Sequence, residues 1–154
     1  MKKSFIFFLL IIVASCGFRV IDPSTIAYFE VAEIEVSGDS RINFKIKNKI
    51  ILNSKSSSKE RIFLNLHTDK IKSIKEKNIY NETTKFKITV NVKIEVKNMD
   101  GKKKIFYKSK AGEFNVNNTR YSQTLNNEKK TIEVIAELLA EEIISEIALI
   151  LNDI

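Results

Sequence analysis

The chain has 154 residues, 44% of them hydrophobic and 29% charged, which supplies apolar material for one domain with a core and excludes wholesale disorder. A single cysteine excludes an internal disulfide, the solitary His67 argues against a histidine metal site or a Ser-His catalytic arrangement, and four unclustered glycines offer no phosphate cradle. The formal charge of +7, from 26 basic and 19 acidic residues, suits an anionic partner, although abundant lysine, isoleucine and asparagine are also what AT-rich codons produce.

Met1, Lys2 and Lys3 form a short positive region, and the apolar stretch Ser4–Ser15 is too short to span a bilayer comfortably as a helix. That arrangement is an export signal. Its end, Val13-Ala14-Ser15-Cys16, resembles the bacterial lipobox, in which an aliphatic residue and two small ones precede a cysteine that is lipidated and becomes the first residue of the mature chain. The resemblance makes residues 1–15 a lipoprotein signal peptide and Cys16 a lipid anchor. Several acyl chains, each burying about 0.8 kcal/mol per methylene, would hold the protein on a membrane essentially permanently. Gly17 is not the aspartate that typically retains such lipoproteins in the inner membrane, so the sorting pattern implies the periplasmic side of the outer membrane. Loss of residues 1–15 leaves 24 basic and 19 acidic residues, a charge of +5.

Residues 16–25 hold the only proline and read as a tether, leaving residues 26–154 as one periplasmic domain. "YFEVAEIEV" (28–36) alternates as a strand, with Phe29 and Val31 inward and Ile34 and Val36 following after a slip in phase. "SGDS" (37–40) is a turn in which Asp39 or Ser40 caps any following helix. Residues 41–53 are ambiguous: Ile42, Phe44 and Ile46 alternate as in a strand, while Ile42, Ile46 and Ile50 share a helical face. A polar linker (54–60) leads to the strand "RIFLNLH" (61–67), and the lysine-rich stretch 68–84 reads as a long loop that could carry a short strand.

The clearest strand is "FKITVNVKIEVKN" (86–98), where Phe86, Ile88, Val90, Val92, Ile94 and Val96 alternate with polar residues. Such alternation implies an antiparallel sheet with one buried and one wet face. Asp100-Gly101 marks a hairpin turn into the irregular partner strand 103–116. The chain closes with a long amphipathic helix over 126–152, capped by Asn126 or Asn127. Ile132, Ala136, Leu139, Ile143, Ile147 and Ile150 form the stripe that covers the sheet, and Val134, Leu138 and Leu149 form a weaker second stripe available to a partner.

The start Cys16-Gly17-Phe18-Arg19, the strand-turn-helix opening, the central hairpin and the closing helix together resemble LptE, the lipopolysaccharide-assembly lipoprotein of Gram-negative outer membranes. Within Phe86–Leu151 a strand pair ends in "YSQTLNNE" (121–128) and runs directly into the helix, as it does in that family. The resemblance implies a helix over 41–53 and an α+β two-layer sandwich, with two helices on one face of about four mostly antiparallel strands. It also implies a non-enzymatic function: plugging and helping to assemble the LptD β-barrel, and engaging lipopolysaccharide during transport to the outer leaflet. Family members use basic residues before the long strand and near the start of the last helix. The nearest candidates are Lys75 and Lys77 in the first region and Arg120, Lys129 and Lys130 in the second, although Leu125 stands at the second matched position.

The residues are compatible with that role. From Arg41 to Lys110 there are twenty basic and six acidic residues, a local excess of fourteen, and lipopolysaccharide presents phosphates that lysine and arginine bind by charge-assisted hydrogen bonds. No cofactor or metal is implied, and export argues against nucleic acid as the anionic partner. A competing expectation is an auxiliary lipoprotein that binds lipid for a periplasmic ABC-type transport system, which would need an apolar cavity between sheet and helices. A hydrolase lacks a His, Cys or paired-carboxylate constellation once Cys16 is lipidated.

Overall fold

The computed structural model describes residues 29–55, 58 and 60–152. Six elements follow in order: β1 (Phe29–Gly38), α1 (Ser40–Asn53), β2 (Glu60–Lys77), β3 (Thr83–Asn98), β4 (Lys103–Asn115) and α2 (Tyr121–Asn152). The strands form one sheet in the order β1-β2-β3-β4, with β1 parallel to β2 and the other neighbours antiparallel. Both helices pack against the same face, so the expected α+β two-layer sandwich is present.

The parallel pair follows from α1, because a helical crossover returns the chain to the end at which β1 began. The slip in phase within β1 is a bulge: Val31 pairs with Ile62, Glu33 with Phe63, and Ala32 is left over. Phe29 and Ile34 consequently point into the core, and Val31 is half-buried. Val36, expected inward, is exposed on the edge strand of the sheet.

Residues 41–53 are helical, as the resemblance implies and the alternation alone could not decide. Asp39 caps α1, its Oδ1 accepting hydrogen bonds from the N–H groups of Arg41 and Ile42, both at 3.1 Å. Ile42, Ile46 and Ile50 are fully buried, whereas Phe44, the residue that made the stretch look like a strand, faces water. Buried Asn43 is satisfied by the Ser37 carbonyl at 2.8 Å and the Thr68 hydroxyl at 3.1 Å, fastening the first turn of α1 to β1 and β2.

Two expectations need correction. Residues 68–84 are not a long loop: β2 continues to Lys77 and pairs with β3 as far as Lys77↔Thr83, closing in the turn 78–82. Its apolar points give no alternation: Ile71 shares the open face with Thr89, and Ile74, on the helix side beside Phe86, is exposed beyond the start of α1 level with Thr68. Ladder hydrogen bonding to β3 decides the structure instead. The closing helix begins at Tyr121 and not at Asn126 or Asn127. Asn117 sets up that start, its Oδ1 accepting from the N–H groups of Thr119 and Arg120 at 3.0 and 2.9 Å.

The core lies between the layers. Ile88, Val90, Val92, Ile94 and Val96 of β3 are buried beneath the α2 stripe of Ile132, Ala136, Leu139, Ile143, Ile147 and Ile150, joined by Ile135 and Ala140. The helices are tied to one another by Lys45–Glu133 at 3.1 Å and Lys49–Glu141 at 3.6 Å. At Gly112 the α2 layer comes so close to β4 that an added Cβ would lie 2.8 Å from Thr131 Cγ2.

Candidate functional site

The basic residues singled out by resemblance gather in part. Lys75 and Lys77 occupy the last turns of β2, and Arg120 stands in the loop between β4 and α2. The two regions meet because Val116 N–H donates to the Thr84 carbonyl at 2.9 Å and Asn118 Nδ2 reaches Glu82 Oε2 at 3.4 Å. Lys129 and Lys130 sit further along α2, about 14 Å up the helix axis from Arg120 at 1.5 Å per residue. They share a helix with that end but not its tip.

Asn78 organises the turn between β2 and β3: its Oδ1 accepts from the N–H groups of Tyr80 and Glu82 at 3.0 and 2.9 Å, and its Nδ2 donates to Glu82 Oε2 at 2.8 Å. Asn81 adopts φ +63°, a conformation asparagine tolerates. Lys77 Nζ donates to Asn81 Oδ1 at 2.8 Å, and Lys75 Nζ lies 3.4 Å from Glu113 Oε1. Lys85 pairs with Glu76 at 2.9 Å, and this hydrogen bond and charge hold its ammonium above the usual lysine value. Much of the positive charge at this tip is therefore already balanced by acids.

The sequence reading missed two lysines on the helix side of the sheet. Lys72 Nζ donates to Glu128 Oε2 at 2.6 Å and lies 4.5 Å and 5.1 Å from the ring centroids of Phe86 and Phe114, which stack 5.6 Å apart. Lys70 pairs with Asp39 at 2.7 Å. Burial alone would raise the Asp39 carboxyl, but the Lys70 hydrogen bond, the N–H groups of Ile42 and Arg41 and the Lys70 charge together bring it below the usual carboxylate value. Period-two spacing from Leu66 could have placed Lys70 and Lys72 on that face, had β2 been continued past His67.

Among the described residues no element covers the opposite face of the sheet. Lys87, Thr89, Asn91, Lys93 and Glu95 line it along β3, with Ser109 of β4 donating to Asn91 Oδ1 at 2.7 Å. His67 also lies here, with Ser37 Oγ 2.9 Å from its Nδ1 and Asp69 Oδ2 3.4 Å from its Nε2. This serine–imidazole–carboxylate row is half exposed, outside the dry, enclosed setting in which such a chain gains catalytic power. Among the described residues no group of three potential metal ligands converges, and no helix is long and apolar enough to cross a membrane.

Clefts lie at the margins of the sandwich and on its open sheet face. One of about 270 Å³ runs between the β4 edge and α2, lined by Lys110, Gly112, Lys130, Val134, Ile135 and Leu138. Val134, Leu138 and Leu149 are all exposed, as expected of the second helical stripe. Another of about 380 Å³ lies between the β3–β4 turn and the end of α2. Cys16 is outside the described residues.

No protein-family model matches the sequence, and neither does any curated protein. Solved structures do share its fold. Rare lipoprotein B from Shewanella oneidensis superposes with a TM-score of 0.62 at 10% identity, over 79% of this chain and 97% of that one. Lipoprotein B from Nitrosomonas europaea gives a TM-score of 0.54 at 12% identity, over 80% and 85% of the two chains. A minor lipoprotein from Acinetobacter baumannii gives 0.54 at 12%, over 78% and 93%.

Proposed function

We propose that this protein is an outer-membrane lipoprotein, lipidated at Cys16, that plugs and helps to assemble an LptD-type β-barrel and assists lipopolysaccharide transport to the outer leaflet. The fold it shares with lipoproteins from three organisms supports this reading, as does the lipobox-like Val13-Ala14-Ser15-Cys16. Rare lipoprotein B belongs to the LptE family.

The observation that supports the plug most directly is the sheet face that no described element covers. A barrel lumen is polar, and a plug needs a closed core with a hydrophilic exterior. Lys87, Thr89, Asn91, Lys93 and Glu95 provide that exterior along β3, while Ile88, Val90, Val92 and Ile94 close the core on the other side. Lipid carriage is less well supported, because the space between sheet and helices is filled by side chains such as Phe29, Ile46, Leu66 and Leu139. Lys75, Lys77 and Arg120 at the β2–β3 tip, with Lys129 and Lys130 on α2, remain the proposed lipopolysaccharide contacts.

The test is purification from the native outer membrane in mild detergent, with mass measurement of the mature amino terminus. The expected result is a large β-barrel recovered with the protein and an acylated Cys16. Recovery without a barrel would overturn the plug, and an unmodified Cys16 would overturn the anchor.

A further inference from the structure

The open sheet face carries its charge in bands that follow the strands. Register and alternation place Glu33 and Glu35 of β1 in line with Phe63 and Asn65 of β2, and these in turn with Lys97 and Glu95 of β3. All six border one cleft of about 240 Å³ on that face. Further along, Ser37 and His67 stand in line with Lys93.

Ion pairs cancel much of the charge on this side. Glu30 pairs with Arg61 at 3.2 Å, Glu95 with Lys103 at 2.6 Å, Glu76 with Lys85 at 2.9 Å and Glu113 with Lys75 at 3.4 Å. Asp69 has His67 beside it at 3.4 Å, and Lys77, the last residue of β2, donates to Asn81 Oδ1. What remains is divided by strand. Among the described residues Glu33 and Glu35 on β1, and Lys87, Lys93 and Lys97 on β3, form no ion pair. Glu33, Glu35, Lys93 and Lys97 are exposed.

β1 and β3 lie two strand spacings apart, about 10 Å. That exceeds the screening length of about 8 Å at physiological ionic strength, so a partner meets an acidic band and a basic band and not a neutral average.

We propose that the barrel wall seating this face carries the opposite pattern, with basic side chains against Glu33 and Glu35 and acidic ones against Lys87, Lys93 and Lys97, and that the match fixes the rotation of the body about the barrel axis. The inference rests on the plug reading. A polar lumen alone accepts a polar body at many rotations. Charge bands make the rotations unequal, because like charges brought face to face are strongly penalised and opposite ones fix register. A second copy of the chain fits less well, since stacked sheet faces ordinarily interdigitate apolar side chains and the β3 row Lys87, Thr89, Asn91, Lys93 and Glu95 has none.

The test uses the full chain, processed in its host and purified in mild detergent, and measures the barrel recovered per lipoprotein. Glu33→Lys with Glu35→Lys, and separately Lys93→Glu with Lys97→Glu, should each lower that ratio about tenfold or more. Glu33→Gln with Glu35→Gln removes charge without adding repulsion and should lose less. Glu137→Lys with Ser145→Lys, which adds positive charge at exposed positions of α2, should leave the ratio unchanged. All of these variants should keep the parent Tm, so that a lost barrel reports seating and not folding. Photo-crosslinks from positions 33 and 93 identify the facing wall residues, and inverting the charge there should restore recovery of the matching variant. Full recovery with both band inversions, an equal loss from the α2 variant, or crosslinks to wall residues of like sign would overturn the proposal. A barrel that the parent brings down and neither inversion releases refutes the banding and leaves the plug standing, whereas a parent that brings down no barrel overturns both. A parent that purifies as a dimer, parted by Glu33→Lys with Glu35→Lys, would assign the bands to a second copy and overturn the proposal.

Discussion

Gly38 and Asp39 together decide how β1 turns into α1. Gly38 has φ +91°, and an added Cβ would lie 1.9 Å from the Thr68 carbonyl oxygen. Gly38→Ala should cost about 1–3 kcal/mol for the positive φ alone, with overpacking against backbone adding to it. Thermal unfolding measures that loss, and an unchanged Tm would contradict the observed turn. Asp39→Ala removes a cap worth about 0.5–2 kcal/mol. Because the folded state lowers the Asp39 carboxyl, its contribution is present above the ordinary carboxylate value and fades as pH falls through the lowered one. The difference in stability between the parent and Asp39→Ala should therefore shrink on acidification below about pH 4. A gap that widened instead would mean the carboxylate is not favoured in the fold. The turn was legible in "SGDS", with Asp39 one of two candidate caps; the buried Asn43 link was not, because its partners lie on two other elements.

At the scale of elements, burial decided which patterns could be read. β3 alternates strictly because one face meets the helices and the other meets water, and the six apolar residues of the α2 stripe are all buried for the same reason. Ile143→Ala should cost about 2–5 kcal/mol, whereas Leu138→Ser on the exposed stripe should change stability by no more than about 0.5 kcal/mol. Chemical denaturation of both variants checks the contrast, and comparable losses would mean the helix is seated differently. Where burial is absent the sequence falls silent. The outer half of β2 has Lys70 and Lys72 where the helix-side face would call for apolar residues, with Ile71 on the other face, so only pairing with β3 reveals it as a strand. The first turn of α2 is similar: Tyr121 and Leu125 are exposed, and the apolar period that marks a helix starts only at Ile132. The parallel β1–β2 pairing was likewise open until residues 41–53 were assigned to a helix, since a strand there would have implied a different topology.

For the whole molecule, the layered architecture separates two surfaces with different physical character. The helix side buries the core, while the open sheet face is polar along β3 from Lys87 to Glu95 and carries exposed Phe63, Ile71, Ile105 and Tyr107 on the neighbouring strands. The candidate lipopolysaccharide contacts divide along the same axis: Lys75, Lys77 and Arg120 share the β2–β3 tip, and Lys129 and Lys130 lie up the helix. Ion pairing had no counterpart in the sequence count, which gives a local excess of fourteen positive charges without showing that Lys72, Lys75, Lys85, Lys108 and Lys110 are each matched with a glutamate. The most direct measurement is site-specific photo-crosslinking from Asn91, at the middle of the open face, in intact outer membranes. The account predicts one dominant adduct with a large β-barrel protein. No adduct from Asn91, or an adduct with a transporter of the inner membrane, would contradict it.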